Sequence, residues 1–121
     1  MSRRTPELLL LDILESIEKI TSYTAGMTQE KFAADSKTID AVLRNIEIIG
    51  EAAGRLPGEF TDEHPNIPWN QIRGMRNRLI HAYFGISLPL IWTTIQTAIP
   101  ELHQNLLPLI KHTAPAPSSA H

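Results

Sequence analysis

The sequence predicts an all-α protein built as an up-and-down bundle of four to five helices. Three observations carry that prediction. Apolar residues recur every three to four positions in successive segments. Capping residues or prolines stand at the starts of those segments. No apolar–polar alternation long enough for a sheet occurs. A chain of 121 residues suits one domain with its own core. With no cysteine, neither a disulfide scaffold nor a thiolate metal site can form.

The first helix is expected to begin at Thr5, a capping residue, with Pro6 at the first helical position and Glu7 near the positive end of the helix dipole. Leu10, Ile13, Leu14, Ile17 and Ile20 form its apolar stripe, and Gly26 ends it. Thr28 caps a short second helix, with Met27 and Phe32 spaced as a hydrophobic staple. Asp35 and Ser36 start the third helix, whose stripe runs Ile39, Val42, Leu43, Ile46, Ile49, Ala53, Leu56. Its other face holds Asp40, Arg44, Glu47, Glu51 and Arg55, with Asp40/Arg44 and Glu51/Arg55 spaced for ion pairs. Three prolines make 57–68 a loop. Pro68 opens the fourth helix, Trp69 to Phe84, and Gly85 stops it. Ser87 and Pro89 start a fifth, with Ile91, Trp92, Ile95, Ile99 and Leu102 on one side, and Pro100 should kink or divide it. The domain is expected over 1–111, and the Pro-, Ala- and Ser-rich end, 112–121, reads as a disordered tail.

Charge narrows the function classes. A net charge of −2 and a pI near 6.2 argue against a dedicated duplex-binding protein, so any nucleic-acid contact must come from a local patch. Arg3 and Arg4 precede only four leucines before Asp12, which does not read as a signal peptide. No apolar run approaches the roughly 20 residues a membrane span needs. A cytoplasmic protein without a membrane partner is expected.

Chemistry concentrates in the fourth helix. At about 100° per residue, Trp69, Ile72, Leu79 and Ile80 define an apolar arc, and Arg76 falls in the middle of it. A charge there is costly unless paired or at an interface. Tyr83, seven residues on, returns to nearly the same angle. Asn77 and His81 are neighbours on the adjacent face, and Arg73 lies at the edge between the two. Arg can fork onto a phosphate and stabilise charge developing there. His titrates near neutrality and can move a proton. Asn can orient either. Arg76 and His81 stand about 140° apart on an ideal helix, so they converge poorly within one chain. A second copy of the helix in a two-fold dimer would bring them together. The same residues also have a structural reading. Arg76 can be a buried cation bonded to Glu47 or Glu51, His81 a satisfied histidine near a helix end, and Tyr83 and Phe84 core aromatics.

At Arg76-Asn77-Arg78-Leu79-Ile80-His81-Ala82-Tyr83 the sequence resembles the R-x-x-x-x-H-x-Y signature of HepT-like proteins in the HEPN superfamily. The stretch from Arg44 to Ala52 resembles that family's third helix, and Ile67-Pro68-Trp69 and Trp92 also match; the resemblance covers about 5 to 110. It implies a HEPN-like bundle that forms a homodimer, with the motif helices lining a composite cleft. It also implies a toxin of a toxin–antitoxin pair acting as a metal-independent endoribonuclease. The antitoxin, an MntA-like minimal nucleotidyltransferase, would silence the toxin by AMPylation of Tyr83.

On this reading the catalytic residues are Arg76, Asn77 and His81, with Arg73 and Arg78 as an RNA-binding patch. Looped or single-stranded RNA in a cleft, tRNA by family analogy, is the expected substrate. No metal or cofactor is expected, because the fourth helix offers no carboxylate–histidine cluster at ligand spacing. His64, His103, His112 and His121 are scattered. The main alternative is a non-catalytic dimer that binds a nucleotide or a partner protein. The small residues Gly50, Ala53 and Gly54 are either a dimer seam or the place where the third helix packs closely on the first inside one protomer.

Overall fold

The computed structural model describes residues 4–84 and 87–113, with side chains at 4–79 and 87–110. The described residues form helices only: α1 (Pro6–Thr24), α2 (Gln29–Ala33), α3 (Ser36–Arg55), α4 (Gly58–Asp62), α5 (Trp69–Phe84), α6 (Leu88–Gln96) and α7 (Ala98–Thr113). α3 lies between α1 and α5, α5 packs on α6, and α7 returns to α1. The four walls of the bundle are therefore α1, α3, α5 and the divided pair α6–α7, while α2 and α4 are single turns.

Local chemistry explains most of these boundaries. The Thr5 hydroxyl accepts from the Leu8 N–H at 3.2 Å and Thr28 from Lys31 at 3.1 Å, each satisfying an otherwise unpaired helix donor. Asp35 caps α3 and also holds the Thr38 side chain. Its carboxylate accepts from the Thr38 N–H at 3.0 Å and from the Thr38 hydroxyl at 2.9 Å. Those bonds, the backbone one first, favour the charged form and hold the Asp35 carboxyl below the ordinary carboxylate value. Gly26 leaves α1 at φ 76°, a left-handed conformation that glycine adopts without steric cost.

The core runs the length of the bundle. Leu9, Leu10, Ile13, Ile17 and Ile20 of α1 meet Ile39, Val42, Ile46 and Ile49 of α3, all essentially inaccessible to solvent. Phe32 of α2 is fully buried and tilts against Trp92 of α6, ring centroids 5.3 Å apart, so the short helix plugs one side of the core. Among the described residues no buried side-chain nitrogen or oxygen lacks a hydrogen-bond partner. None of the described helices is long and apolar enough to cross a membrane.

Several expectations need correction. The 57–68 stretch is not wholly a loop, because α4 forms one turn inside it. Pro57 precedes that turn, and its carbonyl accepts from the Phe60 and Thr61 N–H groups at 3.0 and 3.1 Å. The fifth helix does divide, but at Thr97. Pro100 falls in the first turn of α7, where its missing N–H costs nothing. Pro108 lies within α7 on its exposed side, where the carbonyl left unpaired can turn to water. α7 runs to Thr113, since Leu102, Leu106 and Leu109 continue its buried stripe; the rest of the expected tail, 114–121, lies outside the described residues. Arg44 pairs with Glu47 rather than Asp40, and no Glu51–Arg55 ion pair forms among the described residues.

Candidate active site

α5 is anchored at its start. The Ile72 N–H donates to the Pro68 carbonyl at 3.0 Å, closing the first turn. The Trp69 indole N–H donates to the His64 carbonyl at 3.0 Å. Phe60 tilts against His64, ring centroids 4.7 Å apart, and meets Trp69 edge-on at 6.3 Å. His64 therefore belongs to the aromatic clasp that ties the α4 segment to α5.

The buried face of α5 is Trp69, Ile72, Met75 and Leu79. Met75 was absent from the arc read off the sequence. Including it shifts the centre of the apolar face by about 20° away from Arg76, which still lies inside the arc. Its long stem nevertheless carries the guanidinium out to the rim, so Arg76 is 45% exposed and not sunk in the core. Its Nε lies 3.1 Å from Glu47 Oε2 on α3. Its Nη1 donates to Asn77 Oδ1 at 3.4 Å. The structure thus brings Arg76 and Asn77 together and adds Glu47 to them.

Gly50 explains how α3 reaches Arg76. A Cβ at Gly50 would lie 3.5 Å from the Arg73 carbonyl oxygen, 3.6 Å from that of Ile72 and 3.9 Å from the Arg76 Cβ. The two helices therefore cross backbone to backbone at this point. Glu47, about one turn earlier on α3, is carried onto Arg76. Of the small-residue patch, Gly50 makes the close approach and Ala53 is buried, whereas a Cβ at Gly54 would meet nothing within 4 Å. At Gly50 the patch packs α3 on α5 rather than on α1.

Arg73 and Arg78 do not form one patch. Arg73 is half-buried; its Nε donates to the Ala53 carbonyl at 3.4 Å and its Nη1 to Asn70 Oδ1 at 3.1 Å. It places a cation on the last turn of α3, where the helix dipole favours it. Arg78 points the other way, lining a cavity of ≈ 90 Å³ with Ile72, Met75, Ile99, Leu102 and Glu101 between α5 and α7. The backbone at His81 and Tyr83 belongs to α5, but their side chains lie outside the described residues.

The sequence leaves Arg44 out of the site and offers Glu47 only in the structural reading, as one of two possible partners for Arg76; the structure makes that pair. The signal that could have found it is Gly50, three residues on, at the point where a second backbone has to approach. Among the described residues, no group of three or more His, Asp or Glu side chains gathers as a metal site.

This arrangement suits recognition of an anion that gains charge during reaction. A guanidinium fixed through Nε and Nη1 keeps Nη2 for a ligand. The neighbouring amide supplies a further donor. The comparisons agree with that chemistry. The model of the family described as "Ribonuclease HepT-like" matches residues 13–108. The chain is 44% identical over 100 residues to the probable ribonuclease HepT of Thermococcus cleftensis, covering 83% of this chain and 91% of that one. It is 40% identical over 108 residues to a protein named as an RNase in Caldanaerobacter subterraneus subsp. tengcongensis, covering 89% and 96% of the two chains. A third relative so named, from Methanocaldococcus jannaschii, is 37% identical over 111 residues, 92% of each chain. No solved structure matches.

Proposed function

Since the chain belongs to the HepT-like ribonuclease family, we propose that it is the toxin of a toxin–antitoxin pair and cleaves RNA without a metal in a cleft between two copies of α5. The 2′-hydroxyl of the RNA is the nucleophile. His81 takes its proton as the oxygen attacks phosphorus. The 5′-oxygen leaves with a proton from the His81 of the second copy, so a cyclic phosphate and a 5′-hydroxyl remain. Arg76 stabilises the charge that builds on the phosphoryl oxygens, and Asn77 orients the phosphate. The observation that supports this best is the Glu47–Arg76–Asn77 array, a partly exposed guanidinium already oriented on the motif helix.

A cognate nucleotidyltransferase would silence the site by AMPylation of Tyr83. On an ideal helix Tyr83 lies within about 20° of Arg76, so an added phosphate would compete for the same guanidinium. The test is induced expression in a bacterium, with and without that nucleotidyltransferase. Growth arrest by the native chain, relieved by His81→Ala and by the partner but persisting for Tyr83→Phe with the partner, is the expected result. A soluble native protein that neither arrests growth nor cuts RNA would overturn the ribonuclease mechanism. Neutralisation of Tyr83→Phe by the partner would overturn only the modification.

A further inference from the structure

Glu47 holds two arginines. Oε2 meets Arg76, while Oε1 accepts from Arg44 Nη1 at 3.3 Å. Arg44 and Glu47 are three residues apart on α3, about 4.5 Å along its axis. One carboxylate therefore spans a guanidinium from each of two helices, and the trio carries one net positive charge. Glu47 is 29% exposed and Arg44 67%, so the trio faces solvent.

Both cations keep donors to offer. The one side-chain bond Arg44 makes among the described residues uses Nη1, which leaves the rest of its fork. Arg76 commits Nε and Nη1 and keeps Nη2. Asp40 and Glu51 lie on the same stripe of α3, but neither forms an ion pair with Arg44 or Arg76. Stabilising the fold is a poor account of the trio, because exposed ion pairs contribute little. What the geometry achieves is to hold two guanidiniums at a set separation in spite of their mutual repulsion. A chain of regularly spaced phosphates has complementary charge.

We propose that Arg44 is a second phosphate-binding residue of this site, forming with Arg76 a paired clamp, bridged by Glu47, on the RNA backbone. This rests on the ribonuclease reading and adds a residue to it. Arg44 holds the phosphate beside the scissile one and takes no part in the bond change. Its loss weakens binding and leaves the chemical step intact.

The test uses the full chain and a short 2′-O-methyl oligouridylate, which the 2′-hydroxyl mechanism cannot cut. Affinity is measured over a range of salt, and cleavage of bulk bacterial tRNA is followed in parallel. Each phosphate contact on a single strand contributes about 0.7 to the slope of log K against log salt. Arg44→Ala should lower that slope by about this amount and weaken binding several-fold at low salt, with its circular dichroism unchanged. Arg44→Lys keeps the charge and should restore most of the slope. If the native chain binds and cleaves while Arg44→Ala has the native slope and affinity, the clamp is wrong and the ribonuclease reading survives. If Arg44→Ala loses slope but the native chain leaves tRNA intact, the clamp stands and the cleavage reading fails. A native chain that does not bind the probe overturns the clamp outright.

Discussion

Replacing Gly50 tests whether helix spacing sets the geometry of the site. An alanine Cβ would sit 3.5 to 3.9 Å from the Arg73 and Ile72 carbonyl oxygens and the Arg76 Cβ, which is ordinary van der Waals contact. No neighbour has to move. Glycine in a helix interior costs about 0.8–1.0 kcal/mol relative to alanine. Part of that gain is offset as the new methyl crowds two backbone oxygens. Gly50→Ala should therefore be more stable by roughly 0.5–1 kcal/mol, raising Tm by about 2–6 °C, with cleavage near the native rate. Gly50→Leu adds three more carbons aimed at the α5 backbone. Overpacking of this kind costs about 1–3 kcal/mol, and the helices must separate. Because Glu47 lies one turn away, the 3.1 Å contact with Arg76 should open and RNA cleavage should fall well beyond the loss of folded protein. Urea unfolding followed by circular dichroism gives the stabilities, and cleavage of labelled tRNA at matched folded fractions gives the activity. The reasoning is refuted if Gly50→Ala is destabilised by more than about 1 kcal/mol, or if a folded Gly50→Leu cleaves as well as the native chain.

Arg76→Lys keeps the charge but loses the planar fork that bonds Glu47 through Nε while facing a phosphate. Cleavage should drop on the order of 10²-fold, while stability shifts by less than about 1 kcal/mol because the pair is half-exposed. Near-native cleavage by this variant would show that a point charge suffices. Asp35 predicts an acid dependence of folding. Its carboxyl is held below the ordinary 3.8 by the Thr38 bonds, so its contribution is present above that value and is lost as pH falls through the lower native one. In a thermal-melt series across this range, Asp35→Asn should keep the cap and flatten the fall in Tm; a parallel fall in both proteins would exclude Asp35 as its cause.

The caps were legible because they depend on two or three neighbouring residues. Thr5, Thr28 and Asp35 each make the bond their spacing foretold. Periodicity located α1, α3 and α5 for a similar reason: a stripe such as Ile39, Val42, Ile46 and Ile49 has one way to hide on a helix. α4 was missed because three prolines in a short stretch signal a break and do not register a single turn between them. Arg76 falls within the apolar arc by angle, but angle alone does not register that its long stem carries the guanidinium out to Glu47 and solvent. Pairing on the surface of α3 was legible only in part: Glu47 was one of two carboxylates named for Arg76, but Arg44 was expected on Asp40. Asp40 and Glu47 are both within reach of Arg44 along the helix, and the choice falls to Glu47, the carboxylate that also meets Arg76 of α5.

The close crossing of α3 and α5 also decides which partner adapts on binding. Arg76 stands on a helix whose neighbours Met75 and Leu79 are locked in the core, and its guanidinium is tied to a second helix. Little freedom remains for it to lose when a ligand arrives. The ordering entropy of the encounter therefore falls on the nucleic acid. A strand already bent by its own structure, such as the loop of a folded RNA, has less of that entropy left to lose than a free coil. A rigid protein surface can in this way select a shape without reading a base.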